Sequence, residues 1–213
     1  LRLEDKLAII NQGVRIVYQD AVSKAEVNSH YRNILQPLEK KEVEFKFIKT
    51  TEKYDIFKAP DPVFKKLRLR ALASKEGCGE KEIPVTFFQT DDLDNSMLSS
   101  FWSPSFKWEL LLGDEGQEGY YVWHNSDCKI QKVIGDYYLY PEEIHFPSGA
   151  PEKSYIDWNG KKQTKDVGLS LDANFIFDRM IDMAILVARN IKGDVRDYEL
   201  QSNKILNTDK INT

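Results

Sequence analysis

Cysteine is nearly missing: Cys78 and Cys128 are the only two in 213 residues. Neither has a CxxC neighbour, so no zinc site or redox pair is indicated, and a single disulfide between them stays open. No apolar run approaches ~20 residues and no positively charged leader precedes an apolar segment, which argues against membrane insertion or secretion and for a chain made in the cytosol. There is no basic excess either. The net charge is −4 with a pI near 5.5, so the chain lacks the global basic surface that drives adhesion to nucleic acid or membrane, and any nucleic-acid contact must be local. His30, His124 and His145 are dispersed without HxxxH or HxH spacing, which disfavours a metal site or a Ser/Cys–His pair. GxGxxG, GxxxxGK[ST] and GxSxG are absent, and with them the usual phosphate cradles and the nucleophile elbow. No repeat or low-complexity segment occurs.

What is present describes a folded protein. Hydrophobic residues make up 41% and aromatics 12%, and the length suits one buried core, or one core with an inserted lobe. Leu3, Leu7, Ile10, Val14, Val17, Ala21 and Ala25 keep helical spacing over the first twenty-five residues. Ser29 to Glu39 predicts a short second helix with Pro37 at its boundary. From Glu42 the period changes, with Val43, Phe45 and Phe47 alternating against charges, as a strand with one wet face requires. Further strands are predicted at Tyr54–Lys58, Phe64–Ala73, Ile83–Gln89, Phe106–Leu112, Tyr120–His124, Lys129–Ile134, Tyr137–Tyr140 and Tyr155–Trp158. Asp91–Ser100 interrupts them as a short helix, and Lys161–Lys165 reads as a polar connector.

The strongest amphipathic pattern is the last. From Asp172 to Lys192, Phe175, Ile176, Met180, Met183, Ala184, Val187 and Ile191 recur at helical spacing, with Asp178, Arg179, Asp182, Arg189 and Asn190 largely opposite. Ser170 or Asp172 caps the start and Gly193 the end. The first helix is expected to pack on this one. Beyond it, the polar arm 194–213 carries only Val195, Tyr198, Leu200, Ile205, Leu206 and Ile211, too few apolar residues for a core but enough to anchor on a neighbouring subunit, with a frayed terminus as the plain alternative. The fold class is therefore α+β: terminal helices bundled together from 1–40 and 166–193, a β-sandwich or small-barrel lobe at 41–165 inserted between them, and the arm.

Candidate chemistry is sparse. Asp114 with Asp127-Cys128-Lys129 is similar to the metal-dependent PD-(D/E)xK nucleases, in which carboxylates hold Mg²⁺ and the lysine activates water. Solvated turn charges explain the same residues more simply, so no catalytic residue, metal or cofactor is assigned. The acidic group Asp91, Asp92 and Asp94 is explained by the helix dipole. The basic run Lys65, Lys66, Arg68, Arg70 and Lys75 is the one place where a phosphate backbone could be met; a salt-bridge ladder is the simpler alternative. Trp102, Trp108, Trp123 and Trp158, with the tyrosines around them, fill a β core and subunit contacts more often than they form a ligand-stacking surface.

The order of elements carries a resemblance. Asp91-Asp92-Leu93 leads to Phe101-Trp102-Ser103-Pro104-Ser105-Phe106-Lys107-Trp108, then to Tyr137-Tyr138-Leu139-Tyr140-Pro141 and Tyr155-Ile156-Asp157-Trp158-Asn159-Gly160, and Leu171-Asp172 opens the terminal helix. The series resembles the virion structural proteins of tailed bacteriophages that infect Bacteroidetes, crAss-like phages included. That resemblance implies a non-enzymatic subunit of a ring in the head–tail connector or tail hub. Its implied partners are further copies of itself in a cyclic homo-oligomer of about twelve-fold symmetry, the portal, and other ring or tail proteins. Non-specific contact with viral DNA through Lys65, Lys66, Arg68 and Arg70 would be transient, and no membrane is involved. Phe101, Trp102, Phe106 and Trp108 are the interface candidates, with Tyr198, Leu200 and Ile205 of the arm. The implied location is the virion, with the host cytoplasm during assembly. The alternatives are the Mg²⁺-dependent nuclease and a small adaptor that binds a protein partner through its aromatic β lobe.

Overall fold

A computed structural model describes residues 3–88, 90–99, 101–145, 154–156, 162–167 and 174–191. The expectations placed on Trp158, Ser170, Asp172, Gly193 and the arm 194–213, with Tyr198, Leu200 and Ile205, lie outside these residues. The elements run α1 (Leu3–Ala25), α2 (Ser29–Leu35), β1 (Glu39–Thr50), β2 (Tyr54–Lys58), β3 (Val63–Lys75), β4 (Gly79–Phe87), α3 (Thr90–Leu98), β5 (Leu111–Gly116), β6 (Gly119–Trp123), β7 (Lys129–Leu139), β8 (Tyr155–Ile156), β9 (Lys162–Gln163) and α4 (Asn174–Ile191). The class is α+β, and the chain divides into two compact units, Leu1–Leu38 with Pro141–Thr213, and Glu39–Tyr140.

In the first unit α1 packs on α4, and Ile9 meets Ala184 and Val187. The helices approach closely because Gly13 has no side chain: a Cβ there would lie 2.8 Å from the Ala184 backbone nitrogen. Asn28 accepts the His30 N–H at 2.9 Å and so caps α2, while Pro37 falls in the single 3-10 turn Gln36–Leu38 that ends it. Met180, Met183, Ala184 and Val187 are buried, as the spacing predicts, whereas Arg179 departs from the expected outward face. It is buried because it donates to the Tyr31 hydroxyl at 3.0 Å and lies 3.7 Å from Asp20. Burial lowers its pKa, and Asp20 opposes that shift. The polar connector expected near Lys161–Lys165 contains β9, which pairs with β8. Among the described residues no helix is long and apolar enough to cross a membrane.

The second unit is a closed seven-stranded barrel in the order β1-β2-β6-β5-β4-β3-β7, so of the two β architectures the sequence leaves open, the barrel is the one formed. All neighbours are antiparallel except β4 and β5. Parallel neighbours need a crossover, which the stretch containing α3 supplies. Phe45, Phe57, Leu69, Ala71, Ile83, Leu111, Val122, Val133 and Tyr137 fill the interior. Small residues make room for large ones: a Cβ on Gly135 would lie 2.7 Å from the Phe45 ring and 2.8 Å from Leu69. Two strand expectations need correction. Lys129–Ile134 and Tyr137–Tyr140 are one strand, β7, running through Gly135 and Asp136, and Phe106–Leu110 is a tight loop closed by the Ser105–Leu110 bridge.

Candidate functional site

The loop between α3 and β5 is the most conspicuous surface of the barrel unit. Leu98, Phe101, Trp102 and Trp108 are 87%, 88%, 54% and 74% exposed, four large apolar side chains within eleven residues of sequence. Its base is pinned. Ser105 and Leu110 exchange backbone hydrogen bonds of 2.8 and 3.0 Å, and the Phe106 N–H donates to Asp127 Oδ2 at 2.7 Å. Phe106 is 2% exposed and belongs to the barrel core, which separates it from the other three interface candidates of this segment. Glu109 turns the chain at φ 53° and pairs with Lys81 at 2.8 Å. Trp102 meets the Phe88 ring edge-on at 6.1 Å, and the Lys107 ammonium lies 5.2 Å from the Trp108 ring centroid. Apolar side chains held in solvent on an anchored loop are the chemistry of a protein contact.

The basic strand is largely a ladder of ion pairs. Arg68 bonds Asp136 at 2.5 Å and Glu42 at 3.0 Å, and Arg70 pairs with both Glu42 and Glu82. Asp136 is buried, and its other oxygen accepts the Glu42 N–H at 2.8 Å. Glu42 sits at a bulge of β1 with φ 56°, a backbone state that L-residues rarely adopt. The bulge turns its carboxylate to the two arginines while its amide is held by Asp136, so one irregularity ties β1, β3, β4 and β7 together.

Lys66 leaves this face. A second bulge, between Lys66 and Arg68, sets Lys66 opposite the buried Tyr137, whereas Arg68 lies opposite Asp136. Period-two alternation would have kept Lys66, Arg68 and Arg70 together; one extra residue, Leu67, turns the lysine inward. Its ammonium lies 2.8 Å from the Phe87 ring centroid, 5.6 Å from that of Tyr120 and 3.9 Å from Glu115. Burial lowers its pKa to about 8, outweighing the carboxylates of Glu115 and Asp114. Lys65 pairs opposite Tyr138. The four lysines and arginines therefore do not form one basic patch.

The nuclease trio does not converge on a metal. Asp127 pairs with Lys75 at 2.5 Å and accepts the Phe106 N–H; the Lys75 hydrogen bond, with help from that amide, keeps its pKa low. Asp114, on β5 opposite Tyr121, acts electrostatically on Lys66. Among the described residues no group of three His, Cys, Asp or Glu side chains gathers to hold an ion. Lys75, Asp127 and Lys129 line an open cleft of ≈ 1000 Å³ with Thr51, Ser74 and His124. His124 Nδ1 accepts the Ser126 N–H at 3.1 Å and Nε2 lies 3.5 Å from Asp55, so both ring nitrogens face the protein. Cys78 and Cys128 are both free thiols, and burial raises that of Cys128 to about 11.

The aromatic loop was visible in the sequence as Phe101–Trp108. The inward lysine was not, because a bulge has no composition of its own. No protein-family model matches the chain, and no curated protein is similar enough in sequence to count as a relative.

Proposed function

We propose that the protein is a non-enzymatic virion subunit that assembles into a ring of the head–tail connector or tail and joins portal to tail around the DNA channel. The observation that carries this reading is the exposed aromatic loop on its pinned base. Burying four large apolar side chains on association is worth roughly 1.5–3 kcal/mol each before the cost of immobilising the partners. The bundling of the terminal helices around the insertion of the barrel belongs to the same proposal, as do the virion location and partners in the portal and tail. The non-catalytic part is supported by side chains already committed elsewhere: Asp127 to Lys75, His124 to Ser126 and Asp55. Arg68 and Arg70 are matched by Glu42, Glu82 and Asp136, so contact of this strand with DNA is weak and non-specific in this reading.

Light scattering across a concentration series, with negative-stain images of any large species, tests the proposal. Rings are expected, and a chain cut after Gly193 is expected to keep its fold and assemble less well. Undiminished rings from the shortened chain would remove the role given to the arm. The same loop also suits an adaptor, which would stay monomeric and bind one foreign protein.

A further inference from the structure

The aromatic loop has a counterpart in the helical unit. On α4 the exposed residues Asp178, Ile181, Asp182 and Ile185 fall at positions i, i+3, i+4 and i+7, a single stripe along the helix. Ile181 is 44% and Ile185 49% exposed, while Arg179, Met180, Met183, Ala184, Leu186 and Val187 take the buried side. A helix whose packing is already satisfied keeps its solvent face polar, so two isoleucines there mark a second contact surface. Between Asp178 and Ile185 the exposed charges, Asp178 and Asp182, are of one sign. The exposed charge among the loop's aromatics, Lys107, has the other sign, since Glu109 is neutralised by Lys81. Among the described residues none of Lys107, Asp178 and Asp182 is in an ion pair.

From this complementarity we infer that the loop Phe101–Trp108 of one copy seats on the Asp178–Ile185 stripe of α4 in a second copy. The aromatics cover the two isoleucines, and Lys107 lies toward the two aspartates. Because the surfaces differ, the contact is head-to-tail: an open row of copies always keeps one unused loop at one end and one unused stripe at the other, and it ends only by closing on itself. Two loops could not pair with each other this way, since Lys107 would meet Lys107. The inference rests on the ring reading and names the contact that would build it.

The test uses the full chain and two exposed-surface variants, one with Trp102→Ser and Lys107→Glu in the loop, one with Ile181→Lys and Ile185→Lys in α4. Both are expected to match the wild type in circular dichroism and to lose its high-mass species in light scattering. Mixed in equal amounts, they are expected to give a species at twice the 24.7 kDa monomer mass and nothing larger, because only one intact loop and one intact stripe remain to meet. A further pair keeps the apolar residues: Lys107→Glu alone and Asp182→Lys alone each reduce assembly about tenfold, and combining them in one chain restores it. Wild-type rings that persist in either surface variant would overturn the pairing while leaving the ring reading intact. Rings lost only on removal of residues 194–213 would give the stripe to the arm and overturn the pairing as well. A wild type that stays monomeric at every concentration would overturn both.

Discussion

At the scale of single residues, the unusual choices are charges placed against apolar or strained surroundings. Lys66 has a folded pKa near 8 against 10.5 when unfolded, so between those values the unfolded chain holds the extra proton and stability rises with pH. Cys128 runs the other way: its pKa rises from 9.0 to about 11 on burial, so its contribution is lost as pH climbs through that range. Tyr120, pushed up to about 12 by burial, and Tyr137, raised further by burial and its bond to Asp61, act in the same sense above pH 10. The melting temperature is therefore expected to climb from about pH 8 to 9, to level off while the lysine and the thiol oppose each other, and to fall above about pH 10. Lys66→Met should abolish the climb and raise the melting temperature at pH 7; a scan in which the variant keeps the wild-type profile would show that the lysine does not carry it. Asp136 is the second such residue. Its carboxylate holds the Arg68 guanidinium and the Glu42 amide together, so Asp136→Ala leaves a strained bulge without its support. A loss of about 2–3 kcal/mol in urea unfolding is expected, the worth of charge-assisted bonds removed from a buried site. Glu82→Ala, which removes only a rim partner of Arg70, should cost under about 1 kcal/mol.

At the scale of elements, periodicity was enough wherever the backbone stayed regular. Tyr54–Lys58 matches β2, and the alternation of Val43 and Phe45 marks the inward side of β1. The misreadings fall at irregularities. Phe106–Leu112 looks like a strand because Phe106 and the leucines are apolar, yet Phe106 is buried from a loop whose amide is held by Asp127, a long-range bond that local pattern does not encode. Gly135-Asp136 looks like a turn because both residues favour turns; in fact glycine is there for the Phe45 ring and the aspartate for Arg68. Its charge predicts Arg179 on the wet face of α4, and Tyr31 and Asp20, far away in sequence, reverse that. Gly13 shows the opposite case, a residue with low helix propensity inside an otherwise good helix, whose reason is the backbone of α4 at Ala184. Gly13→Leu should raise the intrinsic helicity of α1 and nevertheless destabilise the helical unit by about 1–3 kcal/mol, since α1 would have to move off α4. Hydrogen exchange reads this directly: amides of α1 and α4 lose protection while those of β3 and β7 keep theirs, and equal protection throughout would mean that the close approach is not needed.

At the scale of the whole molecule, the way the chain enters and leaves the barrel matters more than any contact inside it. Glu39 opens β1 and pairs with Tyr138 near the end of β7, so the two ends of the inserted unit lie on adjacent strands, about 5 Å apart. An insertion with adjoining ends imposes little on the chain that hosts it, because the host needs to bridge only the width of one strand pair. The barrel also has its own core, from Phe45 and Phe57 through Tyr137, and closure leaves it no open sheet edge. Residues 39–140 cut out of the chain are therefore expected to fold by themselves, with one cooperative transition and the near-ultraviolet circular dichroism of ordered tyrosines and tryptophans. The complementary cut, Leu38 joined to Pro141 through a short Gly-Ser linker, should keep the helical signal of α1 and α4. An excised barrel without a cooperative transition would show that the barrel depends on the helical unit for its stability. If the barrel folds alone, the aromatic loop can be presented on it without α4. The isolated barrel should then bind the full chain through the α4 stripe and yet fail to bind itself, which is the asymmetry a head-to-tail contact requires.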